Sequence, residues 1–259
     1  MILDEIVEKT KERMVEVKKT VPLKQLKEQA LAMDANTGFP FEKALKKEQI
    51  QFICEVKKAS PSKGIIAPDF PYVEIAKEYE QAGAAAISVL TEPYFFQGSN
   101  DYLREIARHV SIPLLRKDFT VDEYMIYEAK VIGASAILLI CSVLDTEQLR
   151  AYYQLAHSLG LSALVETHDE AEIEKALSVG AKVIGVNNRN LKDFTVDINQ
   201  SVRLRKLVPE NVIFVSESGM KEPKDIQRLR DNHTDAVLIG ETFMRSKNKK
   251  QMLKDLRGE

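Results

Sequence analysis

The apolar run QFICEVK (51–57) carries Glu55 and Lys57, two residues apart and therefore on one face if the run is extended. A charge inside such a run is costly unless it is paired or put to use. Polar residues also end several later runs: Arg116, Lys117 and Asp118; Glu166; Asn187, Asn188 and Arg189; Ser216, Glu217 and Ser218; and Glu241 after Gly240. One reading of Glu55 and Lys57 is a plain ion pair closing a buried layer. The other is chemical, because two lysines and two glutamates on one rim can hold a carboxylate, protonate a carbonyl and move protons. Neighbouring ammonium groups are expected to lower each other's pKa, which suits a lysine donating a proton near neutral pH. Gly219 and Gly240 add a second signal. A strand-end glycine lets backbone amides approach an anion, and a helix N-terminus adds partial positive charge, so the pair suggests a phosphate site.

These residues need elements that converge. From about residue 50 a rhythm of short apolar run, turn and amphipathic segment repeats along the chain. The runs are 51–57, 85–90, 113–119, 135–140, 162–167, 182–188, 212–218 and 235–240. They are continuous and rich in Ile and Val, as buried parallel strands are. The segments between them read as helices ending at Gly83, Gly133, Gly160 and Gly180. Eight such units predict an α/β fold, a (β/α)8 TIM barrel with the polar residues at the C-terminal strand ends, and with phosphate bound after strands 7 and 8. An open parallel sheet is the competing architecture, but no GxGxxG follows the first strand, which argues against a dinucleotide fold. Residues 1–48 fall outside the rhythm. Leu3, Ile6, Val7, Thr10, Met14 and Val17 recur at helical spacing, and a second helix is expected over Leu23–Met33. The segment reads as a helical N-terminal extension packed on the barrel, either capping an open end or helping to close the site. Residues 1–259 are taken as one domain.

With 37 basic against 39 acidic side chains, the formal charge is −2, and no overall field favours nucleic acid or an anionic membrane. No run approaches about 18 apolar residues, and the amphipathic, acid-bearing N-terminus is unlike a secretion signal. Cys54 and Cys141 read as buried reduced thiols, so a cytoplasmic location is expected. The histidines form no metal-spaced pair. His109, His157 and His233 read as surface groups, and His168 as a loop or capping residue. Tyr152 and Tyr153 read as packing residues, and SKNKKQ (246–251) as a solvated helix. On the bare residues, a Schiff-base aldolase using a strand-end lysine fits almost as well as an acid–base enzyme. Phosphosugar isomerisation and non-catalytic phospholigand binding also remain open.

The segment FICEVKKASPSKGII (52–66) resembles the signature of the indole-3-glycerol phosphate synthase family. TEPYFFQGS (91–99), LRKDF (115–119), ALVETH (163–168), GVNNRNL (185–191), VSESG (215–219) and LIGETFMR (238–245) match that family's later strand ends in order, so the resemblance spans essentially the whole chain. It implies a step of tryptophan biosynthesis: ring closure of 1-(2-carboxyphenylamino)-1-deoxyribulose 5-phosphate with loss of carbon dioxide and water, needing no metal or organic cofactor. It further implies Lys117 as principal general acid, Glu166 as assisting acid or base, and Lys57 with Glu55 holding the carboxylate and handling protons in the dehydration. Asn187 and Ser218 fall among the catalytic positions. Arg189 and Glu217 match substrate contacts, and Phe96, Phe119 and Leu138 match the apolar slot for the aromatic ring. Ser60, Gly219, Gly240 and Glu241 match the phosphate-binding positions. The partner implied is a small phosphorylated substrate, with the protein a monomer or weak dimer. Met125, where glutamine is common, and Thr242–Phe243, replacing a Ser-Leu pair, depart from the pattern without touching the implied chemistry.

Overall fold

The computed structural model describes residues 2–190 and 193–259; Met1, Leu191 (the last residue of the GVNNRNL segment) and Lys192 lie outside the described residues. Parallel strands need their backbone groups paired on both sides, and a closed cylinder achieves this with no edge left over. The chain does so with β1 (Gln51–Val56), β2 (Ala86–Leu90), β3 (Leu114–Lys117), β4 (Ala136–Ile140), β5 (Ser162–Thr167), β6 (Val183–Asn187), β7 (Ile213–Glu217) and β8 (Ala236–Ile239). They neighbour one another in chain order, and β8 pairs back on β1 with Ile53 opposite Leu238. Closure settles the choice against the open sheet: the fold is a TIM barrel, and the eight expected runs are its strands. A two-stranded hairpin, Ala59–Ser60 with Gly64–Ile65, rises from the loop after β1 and was not expected from the sequence.

Alternation along each strand separates two apolar layers. Ile53, Leu115, Leu138, Leu164, Val215 and Leu238 belong to the cluster that fills the barrel. Their neighbours, such as Phe52, Leu114, Ile137, Val165, Phe214 and Val237, belong to the larger cluster shared with the surrounding helices. Those helices are α4 (Tyr72–Ala82), α5 (Asn100–Ile106), α6 (Glu123–Val131), α7 (Thr146–Ser158), α8 (Glu170–Ser178), α9 (Asn199–Leu204), α10 (Pro223–Asp231), α11 (Glu241–Arg245) and α12 (Lys249–Arg257). The four glycine-ended helices stop where expected, at or just before Gly83, Gly133, Gly160 and Gly180. Among the described residues no helix is long and apolar enough to cross a membrane.

The N-terminal extension comprises α1 (Ile2–Thr20), α2 (Leu23–Leu31) and α3 (Pro40–Leu45). α1 buries Ile6, Thr10 and Met14, the spacing read from the sequence. α2 ends two residues short of the expected Met33, and α3 was not foreseen. The extension reaches both ends of the barrel. Phe41 and Leu45 of α3 are fully buried in the barrel-filling cluster and plug its lower mouth, while Ile2, Leu3 and Ile6 of α1 reach the cavity at the upper mouth. Gly160 lets the connecting segment approach closely: an added Cβ would lie 2.2 Å from the Ala35 carbonyl oxygen, and the Thr37 hydroxyl donates to the Gly160 carbonyl at 2.7 Å.

Truncating the plug, Phe41→Ala, should cost about 3–5 kcal/mol, as for other fully buried phenylalanines. Urea unfolding monitored by circular dichroism measures this; a midpoint unchanged from wild type would show that α3 is not part of the barrel core.

Candidate active site

Two residues further along five of the inward-facing series, apolar side chains give way to polar ones. Ile53 is followed by Glu55, Leu115 by Lys117, Leu164 by Glu166, Val215 by Glu217, and Val183 by Gly185 and then Asn187. The register brings them to one level, with Glu55 opposite Ser88, Glu166 opposite Gly185 and Asn187 opposite Glu217. Lys117 Nζ lies 3.0 Å from Glu166 Oε2 and 2.9 Å from Glu217 Oε2. Lys57 Nζ lies 2.6 Å from Glu55 Oε1, and the Ser88 hydroxyl donates to the other oxygen of Glu55 at 3.3 Å. The ion pair considered for Glu55 and Lys57 therefore forms, and it does so at the rim.

The electrostatics differ from the sequence expectation. Lys117 is not depressed: burial works against its ammonium, but Glu166, Glu217 and Glu55 outweigh it and hold its pKa above the ordinary value. Lys117 is thus a fully charged donor in the resting site. The two carboxylates that share it are driven apart. Burial penalises both, but Lys117, His168 and Asn187 hold Glu166 below the usual carboxylate range. Glu217 is pushed up to about 7 by burial and by the charge of Glu166, against the pull of Lys117. Pairs of neighbouring acids separated in this way divide acid and base roles between them.

Glycines make room for both ion clusters. A Cβ on Gly185 would stand 2.2 Å from Glu217 Oε1, and one on Gly240 would stand 2.4 Å from Glu55 Oε1 and 2.8 Å from Lys57 Nζ. Gly240, read from the sequence as a phosphate contact, therefore also seats the Glu55–Lys57 pair. Gly185 was not singled out, although a glycine at an inward position of a continuous strand is a recognisable sign that something approaches closely.

The walls follow from the loops. Glu92, completely buried, accepts from the backbone N–H groups of Tyr94, Phe95 and Phe96 at 2.9, 2.7 and 3.1 Å, which curls the β2 loop and presents Phe96. Its ring lies 6.0 Å from that of Phe119, and with Leu138 these side chains line one side of the cavity. After β6, Arg189 donates to the Phe194 carbonyl at 3.2 Å and pairs with Val196 as an isolated bridge, and these three residues line the cavity. Across the mouth stand Ser60, Ser218, Gly219, Gly240 and Glu241. Gly240 caps α11 directly, whereas α10 begins at Pro223, four residues beyond Gly219. Every candidate residue from the sequence reading borders the same cavity of about 860 Å³.

Sequence reasoning missed the fastening of β3. Asp118 accepts from Arg13 at 2.9 and 3.0 Å, from the Thr91 hydroxyl at 2.7 Å and from the Phe119 amide at 2.8 Å. Arg116 spans Thr91, Asn100, Glu128 and the Met125 carbonyl. Asp118 and Arg116 flank Lys117 on the opposite face of the strand, so they lock it while it points inward. No local pattern announces Arg13, which lies 105 residues away in sequence. His168 lies in a loop, as expected, and its ring also stands against Glu166. The other three histidines are exposed, as expected.

Gly185→Ala should leave the fold intact, because the clash is with a side-chain end, while shifting the Glu217 carboxylate off Lys117. A displacement of this size lowers turnover by up to about 100-fold. Steady-state kinetics beside a thermal melt separates the two effects; wild-type turnover in a folded variant would remove Gly185 from the site's construction.

The sequence model of the family described as indole-3-glycerol phosphate synthase matches residues 3–256. The indole-3-glycerol phosphate synthase of Ruminiclostridium cellulolyticum is 55% identical over 100% of this chain and 99% of that protein. That of Endomicrobium trichonymphae is 56% identical over 99% of this chain and 100% of its own length. Among solved structures, a 3-hexulose-6-phosphate synthase superposes with a TM-score of 0.64 over 81% of this chain and 99% of that one, at 13% identity, a likeness of fold alone. With a family model over nearly the whole chain and identity above one half along the full length, the chain belongs to the indole-3-glycerol phosphate synthase family of carboxy-lyases.

Proposed function

We propose that this chain closes the pyrrole ring of 1-(2-carboxyphenylamino)-1-deoxyribulose 5-phosphate, releasing carbon dioxide and water to give indole-3-glycerol phosphate. The observation that carries the assignment of roles is Lys117 held between two buried carboxylates of unlike acidity. In ring closure, the carboxyl-bearing ring carbon attacks the ketone carbon. The ketone oxygen takes a proton from Lys117 and becomes a hydroxyl, and loss of carbon dioxide restores the aromatic ring. The nitrogen lone pair then expels that hydroxyl as water, with a proton supplied by an acid, and a base removes the remaining proton from the carbon next to nitrogen.

Glu166, ionised, suits the base, and it can return the proton to Lys117 along the 3.0 Å contact. Protonation of Glu217 near neutrality removes one stabilising charge from Lys117 and makes it a stronger donor. Lys57, with Glu55 behind it, would hold the substrate carboxylate and handle protons in the dehydration, the sharing of which among these groups is part of the proposal. Asn187 and Ser218 line the same wall. Phe96, Phe119 and Leu138 would take the aryl ring, Arg189 and Glu217 the polar middle of the substrate, and Ser60, Gly219, Gly240 and the Glu241 amide the phosphate. A Schiff-base aldolase needs a neutral lysine at the carbonyl; the carboxylates around Lys117 oppose that state. The protein is read as a cytoplasmic enzyme, monomeric or weakly dimeric, that binds neither nucleic acid nor membrane.

Incubation with the carboxyphenylamino substrate, followed by indole fluorescence, should show turnover that Lys117→Ala lowers by about 100- to 10,000-fold, the range for a positioned general acid. Borohydride added during turnover should trap no adduct. Turnover that survives the substitution would move the acid to Lys57, and absence of turnover in the folded wild type would overturn the function.

A further inference from the structure

We propose that His168 is a positioning residue for Glu166: clamped by Glu172, its imidazolium faces the Glu166 carboxylate from behind and holds it, ionised, against Lys117. The inference rests on the proposed function only for what Glu166 does in turnover; the clamp itself is a matter of geometry.

His168 sits in the short connection between β5 and α8, two residues beyond Glu166. It is fixed at three points. Its backbone N–H donates to Glu172 Oε2 at 2.7 Å, its carbonyl accepts from the Gln200 amide of α9 at 2.5 Å, and its ring Nδ1 lies 3.1 Å from the same Glu172 oxygen. That carboxylate can only accept, so Nδ1 carries a hydrogen. Nε2 then stands 3.6 Å from Glu166 Oε1, buried, within ion-pair range of that carboxylate and without a hydrogen-bond partner. A neutral ring in this tautomer would turn the Nε2 lone pair toward a carboxylate oxygen. A protonated ring places a charged N–H there instead, hydrogen-bonded to Glu172 on one side and electrostatically attractive to Glu166 on the other.

The charged groups facing the ring come from three elements: Glu166 of β5, Glu172 of α8 and Glu217 of β7. Burial alone would disfavour the cation, but these three carboxylates reverse the balance and raise the His168 pKa. The reciprocal effect appears on Glu166, whose carboxyl is held down by Lys117 and then by His168. Glu166 is thereby gripped from two sides. Lys117 binds one oxygen at 3.0 Å from the cavity side, and His168 approaches the other from the barrel wall.

The sign of the pH effect follows. His168 lowers the pH at which Glu166 takes up a proton, so removing the imidazolium raises that pH and moves the acid limb of the kcat profile upward. A limb displaced by one pH unit reads as about a tenfold lower kcat at a given acid pH. A merely structural role would scale kcat equally at every pH.

The test uses the full-length protein in two arms. In the first, imidazole nitrogens are titrated by NMR, with the His168 signals identified by their loss in His168→Gln. His168 should titrate above the ordinary imidazole range in the wild type, and should fall in Glu172→Gln and in Glu166→Gln. In the second, kcat and KM for the carboxyphenylamino substrate are measured across pH for the wild type and His168→Gln, which keeps a hydrogen-bonding side chain without the charge. The acid limb should move up in the variant with KM little altered. A wild-type His168 titrating at or below the ordinary range, or a variant profile unchanged in shape, would overturn the proposal. Absence of turnover in the wild type would overturn the function alone, and the titration arm would still decide the clamp.

Discussion

A lysine buried among glutamates at the top of the barrel is the constraint around which the molecule is arranged. Taking an ammonium and two carboxylates out of water costs several kcal/mol for each ion, and only close, well-directed pairing offsets it. Lys117 meets that condition with contacts of 3.0 and 2.9 Å to groups from two other strands. Such contacts hold only if β3, β5 and β7 keep a common level, which barrel closure enforces. The strands below supply apolar layers that exclude water from beneath the cluster, and α3 seals the lower mouth. Rigidity at the bottom and charge at the top are parts of one solution.

The same constraint accounts for features that look unrelated. Gly185 and Gly240 lack side chains because carboxylate oxygens occupy that space. Arg13 crosses from α1 to Asp118, so the extension that lines the upper mouth also fastens the strand carrying Lys117. Arg116 ties the outer face of that strand to α5 and α6 through Asn100, Glu128 and the Met125 carbonyl. Lys117 is thereby mounted on a strand whose outer face is held by Arg116 and, through Asp118, by Arg13, as preorganised electrostatic sites require.

Asymmetry between the two acids gives the site its direction. Glu166 meets cations on both sides, while Glu217 keeps Oε1 buried without a hydrogen-bond partner over Gly185. Two chemically equivalent side chains at one level of the barrel thus differ in acidity because their neighbours differ, so one favours accepting a proton while the other can hold one near neutrality.

Much of this was legible in the residues. Continuous apolar runs of strand length, helices ending at glycine and a repeat of eight could satisfy their backbone hydrogen bonds and bury their faces in few other ways, so the barrel followed from local pattern. Polar residues at the ends of those runs had to meet at one rim, because alternation along each strand sets which side chains point inward. The motif resemblance named the chemistry. What pattern could not supply was distance between residues far apart in the chain. Whether Lys117 faces Lys57 or glutamates, which reverses its expected acidity, depends on rotamers and register around a closed sheet. The Arg13–Asp118 link and the space above Gly185 likewise arise only when segments up to 105 residues apart are packed together. Local sequence determines which elements form and which face is buried; pKa values and contacts depend on inverse powers of separation, and those separations exist only in the folded molecule.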